Sequence, residues 1–173
     1  MNKLHNKKMK KIKFLIVLFT MFLFINACAD YKPIFGQKNL NFKIVDYSIE
    51  GSNKLGNRIY SKLYNLSRAN KNNEQGARSI ILNIKVTKEK VATTKDSAGK
   101  ILEYKINLNT QVNISDYLTN DTLLNKNFIS GSAYKVQDQH SETIKLENKL
   151  MTDLIDNTYE NLLINLSESI LAE

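Results

Sequence analysis

The residue best suited to chemistry in this sequence is its single cysteine, Cys28. It follows a lysine-rich stretch, residues 1–13, and a run of twelve residues without charge, 14–25. About twelve apolar residues are typical of the hydrophobic part of a signal peptide, whereas a membrane-spanning helix needs roughly 20. Cleavage before Cys28 would leave its thiol at the new N-terminus. We expect this thiol to take diacylglycerol and the freed amine to take a further acyl chain such as palmitate.

The residues before the cysteine fit this processing. Ile25-Asn26-Ala27-Cys28 places a branched apolar residue three positions before the cleavage site and a small residue directly before it. Two or three acyl chains would hold the protein in a bilayer almost permanently. In enteric bacteria, an aspartate directly after the cysteine retains a lipoprotein in the inner membrane. Here Ala29 holds that position, so transport to the outer membrane is allowed. The alternative is an ordinary signal peptide or a short anchor with an incidental cysteine.

Groups that could support catalysis are otherwise sparse. His140 is the only histidine after the predicted cleavage site, and no Ser-His-Asp set can be assigned. The six glycines are scattered, so there is no glycine-rich phosphate loop, and no His/Cys group has the spacing of a zinc site. Carboxylates such as Glu142 and Glu147 are interpreted as solvating a helix surface. We therefore expect a protein without enzymatic activity, metal or cofactor apart from the covalent lipid.

The positive charge of the chain is concentrated in the predicted signal peptide. The sequence carries 25 Lys+Arg against 17 Asp+Glu, for a formal net charge of +8. Six of these lysines precede Cys28 and no acidic residue does, so the remaining 146 residues carry 19 basic and 17 acidic side chains. A nearly neutral surface without a basic run among stacking aromatics disfavours nucleic acid as a partner.

Period-two alternation is the clearest structural signal. Apolar residues fall on even positions from Ile80 to Val86 and again from Leu102 to Ile114, with polar residues between them. A polar turn, 95–100, separates the two runs, and a second turn, 118–121, leads to a weaker strand, 123–136. This pattern is typical of an antiparallel sheet with one buried and one wet face.

Two helices and one more strand complete the predicted order. Residues 40–49 favour a strand, while 53–68 and 141–171 carry apolar residues at helical spacing. The prediction is an α+β fold of order β-α-β-β-β-α. It is a two-layer sandwich in which a mainly antiparallel four-stranded sheet has two helices on one face. We divide the chain into a lipoprotein signal peptide (1–27), a lipid-anchored lead segment (28–38) and one α/β domain (39–173).

A short motif beside the cysteine adds a family resemblance. The residues Tyr31, Pro33, Ile34, Phe35 and Gly36 follow Cys28 in the order aromatic-x-Pro-apolar-aromatic-Gly. Together with the order of elements, this motif resembles the lipopolysaccharide-assembly lipoprotein LptE family. The chain departs from the family pattern by one extra residue after the cysteine, by Ile34 for Leu and by Phe35 for Tyr.

The resemblance implies a function and a set of partners. LptE-like proteins sit inside the β-barrel translocon LptD, help it to assemble and bind lipopolysaccharide on its way to the outer leaflet. By resemblance, we expect this chain to be anchored on the periplasmic side of the outer membrane. Candidate contacts with lipopolysaccharide phosphates are lysines on the predicted hairpin, namely Lys85, Lys88, Lys90, Lys95, Lys100 and Lys105.

Other functions remain open at this stage. One alternative is the auxiliary lipoprotein of an ABC-type lipid transport system, which would lack a barrel partner. Another is a structural envelope lipoprotein that binds peptidoglycan. A hydrolytic lipoprotein is disfavoured because the chain has no assignable nucleophile and base.

Overall fold

The computed structural model describes residues 40–69 and 76–171. The predicted signal peptide, Cys28 and the motif from Tyr31 to Gly36 lie outside the described residues, so these predictions are untested by the fold. The chain divides into two units, Met1–Gly36 and Gln37–Glu173, and everything below concerns the second.

The predicted order of elements is confirmed, with ends that differ by one or two residues. The strands are β1 (Phe42–Gly51), β2 (Arg78–Lys95), β3 (Ile101–Asp116) and β4 (Thr122–Lys135). The helices are α1 (Asn53–Ala69) and α2 (His140–Leu171). The α+β class with two helices is therefore confirmed.

The four strands form one sheet in the order β1-β2-β3-β4. The pairs β2–β3 and β3–β4 are antiparallel, whereas β1 and β2 are parallel. The parallel pair follows from α1, because two parallel neighbours need a long crossover connection between them. The sheet is thus mixed, and mainly antiparallel as predicted.

A glycine makes the turn from β1 into α1 possible. Gly51 has φ of 76°, and a Cβ at this position would lie 2.2 Å from the carbonyl oxygen of Val86. The next residue, Ser52, donates its N–H to that same oxygen at 2.8 Å, and its own carbonyl accepts the N–H groups of Leu55 and Gly56. Only glycine combines the left-handed conformation with so close an approach. Gly51 thereby fixes the start of α1 against β2.

The core lies between the even face of the sheet and the two helices. Buried side chains alternate along β2 and β3, as the period of two requires. The main contributors are Ile80, Leu82, Ile84, Val86, Ile106, Leu108, Val112 and Ile114 from the sheet, and Ile59, Leu63, Met151, Leu154, Ile155, Leu162 and Leu166 from the helices.

One prediction about this face is wrong. Leu102 was expected in the core, but it is 41% exposed. The buried run of β2 ends at Val86, and every residue from Thr87 to Lys95 is exposed. The far end of the β2–β3 hairpin therefore extends past the core, and Leu102 lies on that extension.

Among the residues that the structure describes, no helix has the length and apolar character needed to cross a membrane.

A buried hydroxyl in the core provides a test of this packing. Thr110 is fully buried on the core face of β3, and its Oγ1 has no hydrogen-bond partner within residues 40–69 and 76–171. Burying an unpaired hydroxyl costs free energy that an apolar group of the same shape does not. We predict that Thr110→Val raises the free energy of unfolding by about 1 kcal/mol, measured by urea denaturation.

Thr158 is the matched control for this substitution. It is also buried, but its Oγ1 donates to the carbonyl oxygen of Leu154 at 2.8 Å. Thr158→Val removes a satisfied hydrogen bond and should lower the free energy of unfolding. A Thr110→Val protein less stable than the unaltered chain would contradict the packing described for β3.

Candidate functional site

The face of the sheet that the helices leave open is mostly polar. The two helices pack on the even face, so odd-numbered side chains of β2, β3 and β4 project from the other side. Cross-strand pairing aligns these side chains in rows, such as Asn83 beside Asn113 and Asn113 beside Asn125. We call this surface the amide face, after its carboxamide residues Asn83, Asn107, Asn109, Gln111, Asn113, Asn125 and Asn127.

A shallow groove of about 210 Å³ runs over one part of the amide face. Within it, Ser48 Oγ donates to Asn83 Oδ1 at 2.6 Å, and Lys85 Nζ lies 3.4 Å from Glu50 Oε2. Gln111 and Asn113 complete its polar lining. The groove therefore presents both hydrogen-bond donors and acceptors and, among its described lining residues, one ion pair.

Gly131 of β4 keeps another part of this face flat. A Cβ on Gly131 would lie 2.7 Å from Asn107 Oδ1 and 3.5 Å from Lys105 Cε. The side chains of Lys105 and Asn107 therefore extend sideways over the glycine. The small residues of β4 allow polar side chains of β3 to spread across the edge of the sheet.

The six predicted lysines do not form one surface. Lys85 and Lys105 lie on the amide face, whereas Lys88 and Lys90 occupy even positions and point to the side of the helices. Lys95 and Lys100 flank the turn at the exposed end of the hairpin. The six lysines are divided in this way because successive side chains of a strand alternate between its faces.

The turn that carries Lys95 and Lys100 is held by one carboxylate. Asp96 Oδ1 accepts the N–H of Ala98 at 2.9 Å and that of Lys100 at 2.8 Å. Among the described residues, Lys95, Lys100 and Lys105 have no carboxylate within ion-pair distance. These three lysines are accordingly the ones open to an anionic ligand.

Lys88 and Lys90 are instead bound by Glu147 of α2. Lys88 Nζ lies 2.8 Å from Glu147 Oε1, and Lys90 Nζ lies 2.7 Å from Oε2. The hydroxyl of Tyr134 also donates to Oε2 at 2.8 Å. Lys90 Nζ is 4.2 Å from the ring centroid of Tyr104, a cation–π distance. We refer to these five residues as the Glu147 cluster.

The Glu147 cluster keeps its carboxylate ionised. Burial alone would raise the pKa of Glu147, but hydrogen bonds from Lys88, Lys90 and Tyr134 lower it from 4.5 to about 2. Glu147 therefore holds the hairpin to α2 and is no proton donor near neutral pH. The interpretation of Glu147 as a solvating residue is wrong. Two lysines on the helix-facing side of a predicted strand were the signal that a carboxylate from a helix would lie beside them.

This network makes stability depend on pH. The folded-state pKa of Glu147 is below its ordinary value, so the unfolded chain takes up the proton first as pH falls. The stabilisation is complete above about pH 4.5 and is lost as pH falls toward 2. We predict that Glu147→Gln lowers the free energy of unfolding at neutral pH by about 3 kcal/mol and flattens its pH dependence below pH 4.5.

Glu142→Gln is the control on the same helix. Within the part of the chain that the structure describes, the ion pair of Glu142 is with the exposed Lys145, one turn away, so its loss should change the unfolding free energy little. Denaturant titrations at several pH values measure both variants. If Glu147→Gln retained the full acid sensitivity of the unaltered chain, the network would not be the source of that sensitivity.

Within residues 40–69 and 76–171, no three His, Cys, Asp or Glu side chains are grouped so that they could hold a metal ion.

The fold is shared with solved bacterial lipoproteins. A lipoprotein from Caulobacter crescentus matches with a TM-score of 0.53 at 10% identity, over 75% of this chain and 90% of that one. The rare lipoprotein B from Shewanella oneidensis gives 0.52 at 12% identity, over 73% and 97%. A minor lipoprotein from Acinetobacter baumannii gives 0.52 at 15% identity, over 75% and 93%.

These similarities concern the fold, since the sequence identities are far too low to indicate a shared function. No protein-family model matches the sequence, and no curated protein matches it either.

Proposed function

We propose that this chain is a lipoprotein of the outer membrane, anchored through Cys28 on the periplasmic side, and that it is a non-enzymatic partner of the β-barrel lipopolysaccharide translocon LptD. In this role it fills the lumen of the barrel, helps the barrel to assemble and aids the insertion of lipopolysaccharide into the outer leaflet. The motif of Tyr31, Pro33, Ile34, Phe35 and Gly36 beside Cys28 supports the anchor. The fold that the chain shares with bacterial lipoproteins is consistent with it.

The amide face is the observation that carries the barrel partnership. A wide barrel has a lumen lined with polar side chains, so its partner must present a polar surface that still forms specific hydrogen bonds. Carboxamides supply both donors and acceptors without the cost of burying a charge. The rows from Asn83 to Asn125 and from Lys85 through Gln111 to Asn127 provide such a surface across three strands.

The lysines divide between two tasks in this proposal. Lys88 and Lys90 serve the fold, because Glu147 binds both. Lys95 and Lys100 at the end of the hairpin, with Lys105 next to it on the amide face, are the candidates for contact with lipopolysaccharide phosphates. Lys85 is engaged by Glu50 through an exposed pair that an anion can displace at small cost.

A pull-down of the tagged full chain from detergent-solubilised outer membranes tests the partnership. The unaltered protein should recover one large β-barrel in equal amount. Asn109→Arg with Gln111→Arg places two charges on the amide face and should abolish recovery of the barrel, because the interface would bury both charges without counter-charges. Asn157→Arg with Asn161→Arg, on the exposed side of α2, should leave it intact.

The outcomes separate the candidate functions. Recovery of an ABC-transport component would favour the auxiliary lipoprotein instead, and recovery of peptidoglycan fragments would favour a structural role. In the same experiment, Cys28→Ala should release the chain from the membrane fraction. The intact mass of the unaltered protein should show diacylglycerol and an N-acyl chain on Cys28, and a mass without lipid would refute the anchor.

A further inference from the structure

The sheet ends in two edge strands, β1 and β4, and the two edges differ. An edge strand carries a row of backbone N–H and C=O groups with no neighbouring strand, which proteins usually protect with bulges, charges or prolines. In β1 the pairing with β2 is interrupted between Ile44 and Asp46. Asp46 Oδ1 also accepts the N–H of Tyr47 at 2.8 Å. The edge of β1 is therefore irregular, and one of its N–H groups is already bound.

The edge of β4 is regular along its middle. The N–H of Val136 donates to Leu102 O at 2.9 Å, and the same register continues without interruption to the pair of Ile114 and Leu124. Bonded and non-bonded pairs alternate along an antiparallel ladder, so the even residues of β4 are bonded to β3. The N–H and C=O groups of the odd residues therefore point away from the sheet. These residues, which we call the open edge, are Asn125, Asn127, Ile129, Gly131 and Ala133.

The open edge carries none of the usual protection. Its residues are all exposed, none of them is charged or a proline, and no described residue accepts a hydrogen bond from their N–H groups. Ile129 at its centre is 75% exposed although it lies on the amide face. Donors and acceptors that repeat at about 7 Å along a line fit one kind of ligand, an extended polypeptide with the same repeat.

A second copy of β4 complements the open edge. The wall of a closed β-barrel pairs all of its own strands and has no free edge to offer, whereas a second copy of this chain brings the same one. In an antiparallel pairing with Ile129 opposite Ile129, each larger carboxamide lies opposite a small residue, Asn127 opposite Gly131 and Asn125 opposite Ala133. Lys126 lies opposite Ser132 in this register, so no like charges meet.

We propose that two copies of the chain form a two-fold symmetric dimer in which their open edges pair antiparallel about Ile129. The two four-stranded sheets then join into one continuous sheet. The pairing forms about ten backbone hydrogen bonds between the copies. It also brings the two Ile129 side chains together across the axis, which accounts for an exposed isoleucine on a face made mostly of carboxamides.

The dimer and the complex with a barrel exclude each other. Asn125 and Asn127 belong both to the open edge and to the amide face, so a chain that is paired through β4 cannot also present this part of the sheet to a barrel. The dimer is accordingly the form of the chain that is not bound to the barrel. The inference does not rest on the proposed function, because pairing of two copies needs neither the barrel nor the lipid.

Introduced cysteines test both the pairing and its register. Membranes of cells that overproduce the full chain, so that it exceeds any barrel partner, are treated with a mild oxidant and analysed by non-reducing electrophoresis. For Ile129→Cys we expect most of the chain as a disulfide-linked dimer, because directly opposite residues have Cα atoms about 5.5 Å apart, within reach of a disulfide. The unaltered chain, whose single cysteine is Cys28, gives the background.

Asn125→Cys is the matched control on the same edge. In the proposed register the two copies of this position are about 27 Å apart, so the variant should stay monomeric on the gel. Asn125→Cys combined with Ala133→Cys places two cysteines opposite each other and should restore the dimer. Equal cross-linking of Asn125→Cys and Ile129→Cys would show random collision and overturn the inference.

Sedimentation of the detergent-solubilised full chain provides a second measurement that needs no cysteine. The unaltered chain should sediment as a dimer, and Ile129→Lys should make it monomeric because two like charges would meet on the axis. Val45→Lys is the control on the edge of β1, where Val45 is 43% exposed, and should leave the dimer intact.

The remaining outcomes overturn the inference. A monomeric unaltered chain does so directly. If Ile129→Cys forms no dimer but reacts with a water-soluble maleimide, the edge is open to solvent. If it forms no dimer and does not react, a different protein covers the edge. The pull-down decides the barrel partnership separately, because neither cross-linking nor sedimentation of the two copies requires the barrel.

Discussion

Both helices pack on the same face of the four-stranded sheet, and the rest of the structure depends on this arrangement. The apolar side chains of β2 and β3 alternate strictly, so the covered face becomes the core and the other face must be polar. Because β1 is joined to β2 through α1, the glycine turn at Gly51 sets the position of that helix. The amide face is thus a direct consequence of how the core is built.

Charge is distributed according to the same division. On the covered side, Glu147 binds Lys88 and Lys90 where the hairpin leaves the core, so that side-chain charge near the helices is balanced. On the open side, carboxamides outnumber charged groups. Lys95, Lys100 and Lys105, which have no carboxylate within ion-pair distance among the described residues, lie at or near the end of the hairpin. At the opposite end, the pair of Arg78 and Asp116 stabilises a turn that exposes apolar side chains. The domain therefore has a polar face, a cationic end and an apolar end, each made by a different local interaction.

Much of this architecture could be predicted from the sequence. The period of two in 80–86 and 102–114 predicted the hairpin and its buried face, and helical spacing predicted α1 and α2 to within a residue at most ends. Two features could not be predicted, because they depend on contacts between distant residues. The faces on which the lysines of β2 and β3 lie follow from the alternation of side chains along a strand. The role of Glu147, in contrast, depends on α2 passing over Lys88 and Lys90. Leu102 fits the alternation, yet it is exposed because β2 and β3 extend beyond the part of the sheet that the helices cover. The lipid anchor is a prediction from residues outside those that the structure describes.

The central claim is that the amide face binds a β-barrel partner, and site-specific photo-crosslinking in living cells tests it most directly. A photoreactive phenylalanine analogue replaces Asn109 at the centre of the amide face, and in a second strain it replaces Asn157 on the exposed side of α2. We expect an adduct of the chain with one large outer-membrane β-barrel from position 109, in higher yield than from position 157. A membrane-bound chain that gives no barrel adduct from position 109 would contradict it.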